Sequence, residues 1–110
     1  MHAGIDPGKS LEQQDFADLL LIRKPFLKPA EPWTHPFTVV HGHSIAMPSV
    51  HLHRISVDAG CFCNKALCAV QIQDGRLRFI AVASEMADLG NSKLAGEGSV
   101  WQWSPPEPIV

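Results

Sequence analysis

Long apolar runs are missing from this 110-residue chain, and so is any excess of positive charge. Stretches such as Leu19 to Ile22 are far too short to cross a bilayer. Charged residues make up 18%, with a net charge of −2 when His is neutral. That leaves no basic surface for nucleic acid or an anionic membrane. The opening Met1-His2-Ala3-Gly4 lacks the basic and apolar regions of a secretory signal, so a cytoplasmic location is expected. Cysteine is scarce and odd in number, at three, which argues against a disulfide framework. With 45% apolar residues the chain has the balance of a folded protein rather than a disordered tail. Its length limits it to one small domain with a modest core.

Histidine, by contrast, is plentiful: His2 and five more between His35 and His53. Asp6-Pro7-Gly8 is a turn signal. Ser10-Leu11-Glu12-Gln13 has the form of a capping box, with Asp15 an equally good N-cap for a later start. Phe16, Leu19, Leu20 and Arg23 follow at helical spacing, which predicts a helix from about Leu11 to Arg23, ended by Pro25. Prolines 25, 29, 32 and 36 predict an irregular loop. Phe37 to Val40 reads as a buried strand with His41-Gly42-His43 at its end. Arg54 to Val57 reads as a second strand. Ala66 to Gln73 and Leu77 to Val82 flank Asp74-Gly75, the strongest hairpin signal in the chain. Cys68, Val70 and Ile72 share one face of the first hairpin strand. From Glu85 the pattern dissolves, so 1–84 is expected to be the folded domain and 85–110 a tail that wraps it or is partly disordered. The fold class expected is α+β: one helix, then a mainly antiparallel or mixed sheet.

Two imidazoles beside a glycine at a strand end can reach a metal while the backbone turns tightly, which singles out His41 and His43. The plainer alternative is strand-end histidines satisfied by backbone groups. His51-Leu52-His53, Cys61-Phe62-Cys63 and Cys68 offer a second set of ligand types, suited to zinc in a small non-enzymatic metal-binding module. Their spacing matches no usual zinc pattern, and the simpler reading is two surface histidines and three small buried cysteines. Asp58 before Ala59-Gly60 suits a turn, or an acceptor that orients a histidine. Arg23 and Lys24 suit a helix C-terminus, and nothing in their spacing suggests a grip on phosphate. Trp33, Trp101 and Trp103 read as packing residues.

Four segments, in order, resemble the serine/threonine protein phosphatases of bacteria and the related symmetrical dinucleoside-tetraphosphatases, which are calcineurin-like metallophosphoesterases. His2-Ala3-Gly4-Ile5-Asp6-Pro7-Gly8 resembles "H-A-G-I-x-P-G". Asp18-Leu19-Leu20-Leu21-Ile22-Arg23-Lys24-Pro25-Phe26-Leu27 resembles "D-L-L-W-I-R-x-P-F-L", with Leu21 for Trp. Val39-Val40-His41-Gly42-His43-Ser44 resembles "V-V-H-G-H-T", and Arg54 to Gly60 resembles "R-I-x-I-D-T-G", with Ala59 for Thr. The resemblance covers about Met1 to Val82.

It implies a layered αββα fold of which this chain is the C-terminal half, and a divalent metal pair (Mn, or Fe with Zn) for phosphoester hydrolysis. The substrate implied is a phosphoprotein or a dinucleoside polyphosphate. It implies His2 and His43 as ligands of one metal, with His41 and Asp58 in supporting or substrate-side roles. The family's other motifs, "G-D-x-H", "G-D-x-x-D-R" and "G-N-H-E", do not occur here, and the general-acid histidine of the last is missing with them. Met1 stands where the family often has Val, so the resemblance starts inside the catalytic domain. The expectation is therefore a truncated chain, inactive alone and prone to self-association, or one half of a split enzyme completed by a separate N-terminal partner.

Overall fold

A computed structural model describes residues 1–83 and 100–103. The protein is α+β, with short helices and two three-stranded sheets. It divides into two compact units: Met1–Ile45 with Ser49–Ser56, and Ala46–Pro48 with the described residues from Val57 on. Among the described residues no helix is long and apolar enough to cross a membrane.

In the first unit the expected single helix is broken. A 3-10 turn, Leu11–Gln13, ends at Gln14, whose backbone is extended, and α1 runs only over Phe16–Leu21. The reason lies in two side chains. The Gln14 amide clasps the Asp6 loop, accepting from Asp6 N–H at 2.8 Å and donating to the carbonyls of Asp6 and Lys9 at 2.9 and 3.2 Å. Asp15 then starts the new helix: its carboxylate accepts from Asp18 N–H at 3.0 Å, and that of Asp18 accepts from Asp15 N–H at 3.1 Å. Lys9 donates to Asp18 at 2.7 Å and ties this cap to the loop.

Pro25 does not only end a helix. It occupies the first turn of α2, Lys24–Leu27, where its missing N–H is no loss. This turn delivers Phe26, fully buried, into a core with Ile5 and Val39, covered by Leu19, Ile22, Leu27, Trp33 and Phe37.

The sheet of this unit has the order β1-β3-β2, with β1 at Val39–His41, β2 at Ser49–Val50 and β3 at Arg54–Ser56. β1 pairs parallel to β3, with His41 opposite Ser56, and β2 pairs antiparallel to β3, with Ser49 opposite Ser56. The N-terminal residues run beside β1: the Met1 ammonium donates to Val40 O at 3.0 Å, and Gly42 N–H donates to His2 O at 2.8 Å.

In the second unit α3, Cys61–Asn64, precedes the hairpin of β4, Ala66–Gln73, and β5, Arg76–Ala83. Asp74 and Gly75 both have positive φ, 51° and 69°, as a two-residue turn matched to strand twist requires. Residues opposite one another across the hairpin share a face. Cys68 and Val70 lie with the buried Ala81 and Phe79, while Leu67 and Ala69 lie with Val82 and Ile80 on the other face. Leu67 and Val82 are exposed there. Placing Lys at both should lower any concentration-dependent association, read by sedimentation, because the patch they form is apolar and uncharged.

The tail contains one strand that its sequence did not announce. β6, Val100–Trp103, pairs antiparallel to β5, with Val82 opposite Val100. Residues 84–99 and 104–110, which hold the last residue of the expected domain and the rest of the expected tail, lie outside the described residues.

Candidate functional site

The His2–His43 pair is built by backbone geometry. The hydrogen bond from Gly42 N–H to His2 O draws two segments about forty residues apart in sequence to one place. The two imidazole centroids lie 5.1 Å apart at an interplanar angle of 55°. His43 has φ 67°, left-handed for a residue with a Cβ, and Ser44 N–H closes a tight turn around it by donating to Gly42 O at 2.8 Å. Such a conformation costs about 1–2 kcal/mol, and strain of this kind gathers at functional sites. His43→Gly should therefore be more stable than His43→Ala by about 1 kcal/mol in urea unfolding, although both lack the imidazole.

His41 is buried, and both of its ring nitrogens are engaged. Nδ1 lies 3.0 Å from Gly42 O, and Nε2 lies 3.3 Å from Arg54 Nη1. A guanidinium can only donate, so Nε2 is the acceptor and Nδ1 carries the hydrogen. The ring is thus neutral and braces the Gly42 carbonyl. Burial is the main cause that pushes its pKa below the ordinary 6.5, with the charge of Arg54 acting the same way.

The sign of the pH effect follows. A His41 pKa that is lower when folded means the unfolded chain binds the proton more readily. His41 therefore adds its full stability above about 6.5, and that stability is lost as pH falls toward the folded pKa. Urea midpoints should fall with acid below about 6.5, and less steeply in His41→Gln.

Three further histidines are structural. His53 Nε2 lies 2.8 Å from Phe26 O, and its ring meets Phe26 edge-on. His35 Nε2 lies 3.1 Å from Pro7 O, and its ring stacks on Phe37. His51 is exposed and bonds Ser49 Oγ at 3.0 Å. Trp33 packs among these rings and donates from Nε1 to Phe37 O at 3.0 Å, the packing role its sequence suggested.

Asp58 lies in the second unit. Its Oδ1 accepts from Gly60 N–H at 2.9 Å and its carbonyl accepts from Ala46 N–H at 3.1 Å, the pattern of a side chain that builds a turn. The cysteines are not small buried hydrophobes: Cys61 and Cys63 are exposed on α3, and only Cys68 is half-buried, with its thiol pKa raised mainly by burial. Neighbours two apart on a helix do not face one another, so Cys61 and Cys63 do not converge as a ligand pair. Among the described residues no group of three or more His, Cys, Asp or Glu is placed to hold a metal ion.

Arg54, the partner of His41, was not among the residues singled out in the sequence. The available signal was a guanidinium at the start of a short strand with no acidic residue beside it. No family model, curated protein or solved structure matches this chain.

Proposed function

We propose that this chain carries the C-terminal histidine ligands of a cytoplasmic two-metal phosphoesterase, acting on a phosphoprotein or a dinucleoside polyphosphate. The observation that carries the reading is the meeting of His2 and His43, whose ring centroids lie 5.1 Å apart where one backbone hydrogen bond joins their segments. Two imidazoles at this separation can offer nitrogen ligands to one divalent ion. His41 supports them: it holds the Gly42 carbonyl from the buried side and keeps the turn at His43 in its strained form. A divalent pair bound by the complete site supplies a hydroxide nucleophile at neutral pH and offsets charge on the phosphoryl group. The α+β elements seen here are then pieces of a layered αββα fold.

The same chemistry makes the isolated chain incompetent. Two neutral imidazoles neither bridge two divalent ions nor balance their charge, which is the task of carboxylates. Purified chain supplied with Mn²⁺ should therefore turn over an aryl phosphate at the background rate. Metal-dependent turnover that disappears in His43→Ala would overturn that incompetence. The reaction class is tested by supplying the missing motifs, encoded in frame ahead of Met1 or on a co-expressed polypeptide. Turnover that then appears, and that His43→Ala abolishes, supports the reading. A folded, metal-loaded assembly without turnover sinks it.

A further inference from the structure

The sheet of the first unit gathers its polar side chains on one face. Arg54 and Ser56 of β3 are two residues apart and share that face. His41 of β1 and Ser49 of β2 both lie opposite Ser56. Arg54 is only part-buried, yet its Nε is fully covered and has no hydrogen-bond partner. Ser56 is 1% exposed, and its Oγ is likewise covered and unpaired.

The only partner of the guanidinium among the described residues is His41 Nε2, a neutral acceptor at 3.3 Å. Among the same residues no carboxylate lies within 4.0 Å of Arg54. Burial pushes the Arg54 pKa down, and its charge in turn helps to lower those of His41 and His51. A part-buried cation whose side-chain partner is a neutral ring is partly desolvated without compensation, and a covered hydrogen-bond donor left unpaired adds to that cost. Lys9 is the contrast: also part-buried, yet given three carboxylates within 4.0 Å. The charge on Arg54 is balanced by nothing in its own unit that the described residues include.

We propose that Arg54 and Ser56 form a binding site for a phosphoryl oxyanion, free or esterified, which supplies the missing counter-charge. The guanidinium fork suits two oxygens of such a group, and the unpaired hydroxyl of Ser56 suits a third. The site needs no metal ion, so it stands whether or not His2 and His43 hold one.

The test uses the full chain, freed of metal with a chelator, and follows binding of inorganic phosphate and of O-phosphoserine by calorimetry. Saturable binding of phosphate is expected, abolished in Arg54→Met and about tenfold weaker in Arg54→Lys, which keeps the charge but not the fork. If O-phosphoserine binds as well, the site accepts esters; if only inorganic phosphate binds, it is a free-anion site. Either pattern supports the proposal. Absence of saturable binding, or unchanged affinity in the Arg54→Lys variant, overturns it. So does binding that appears only when metal is restored. Arg54→Lys decides the matter if Arg54→Met fails to fold.

Discussion

Gly4→Ala should destabilise the first unit by about 3 kcal/mol, enough to leave much of a small domain unfolded. Two costs combine. Gly4 has φ 149°, a conformation that a residue with a Cβ rarely adopts, at about 1–2 kcal/mol. The added methyl would also lie 2.6 Å from Cγ and 2.7 Å from Cε1 of Phe26. That ring cannot step aside: it is fully buried and sits edge-on to His41, His53 and Trp33. Overpacking of a closed core costs about 1–3 kcal/mol more. Guanidinium unfolding would measure it, and a midpoint equal to that of the parent would show that Phe26 does not seal this position.

Phe26→Ala should cost about 3–5 kcal/mol, the range for emptying a buried aromatic site. The two substitutions should not add. Removing the ring opens the space that the methyl added by Gly4→Ala needs, so the double variant keeps the backbone penalty but loses the clash. A favourable coupling of about 1–3 kcal/mol is expected in the double-mutant cycle. Strict additivity would mean that the cost at Gly4 is all backbone conformation. The pair matters beyond stability, because Gly4 follows the His2-Ala3 segment and Phe26 supports the ring of His41. Both sides of the candidate site rest on one contact.

What could be read from residues alone was whatever local chemistry decides. Asp74-Gly75 tolerates positive φ at both positions and sits between two alternating runs, so the β4–β5 hairpin was legible almost to the residue. The Asp15 cap was visible as an alternative start. That it prevailed depended on Gln14, whose amide turns away to clasp the Asp6 loop, a choice that no helical period reveals. β6 escaped because its four residues stand among Gly, Ser and Pro, and a strand this short exists through its partner β5. The meeting of His2 and His43 came from family resemblance. Spacing alone pointed to His41 and His43, and His41 instead engages Gly42 and Arg54. Arg54 was missed because a lone guanidinium in a strand is a weak signal, and whether its charge is balanced depends on where packing places the carboxylates.

On the function proposed above, His2 and His43 act together as metal ligands. Substoichiometric Mn²⁺ added to the chain, with the six histidine side chains followed by NMR, tests it most directly. The His2 and His43 signals should broaden first and in step, and His43→Ala should remove the effect at His2. Broadening that begins at His51 or His53, with His2 and His43 unchanged, would contradict it.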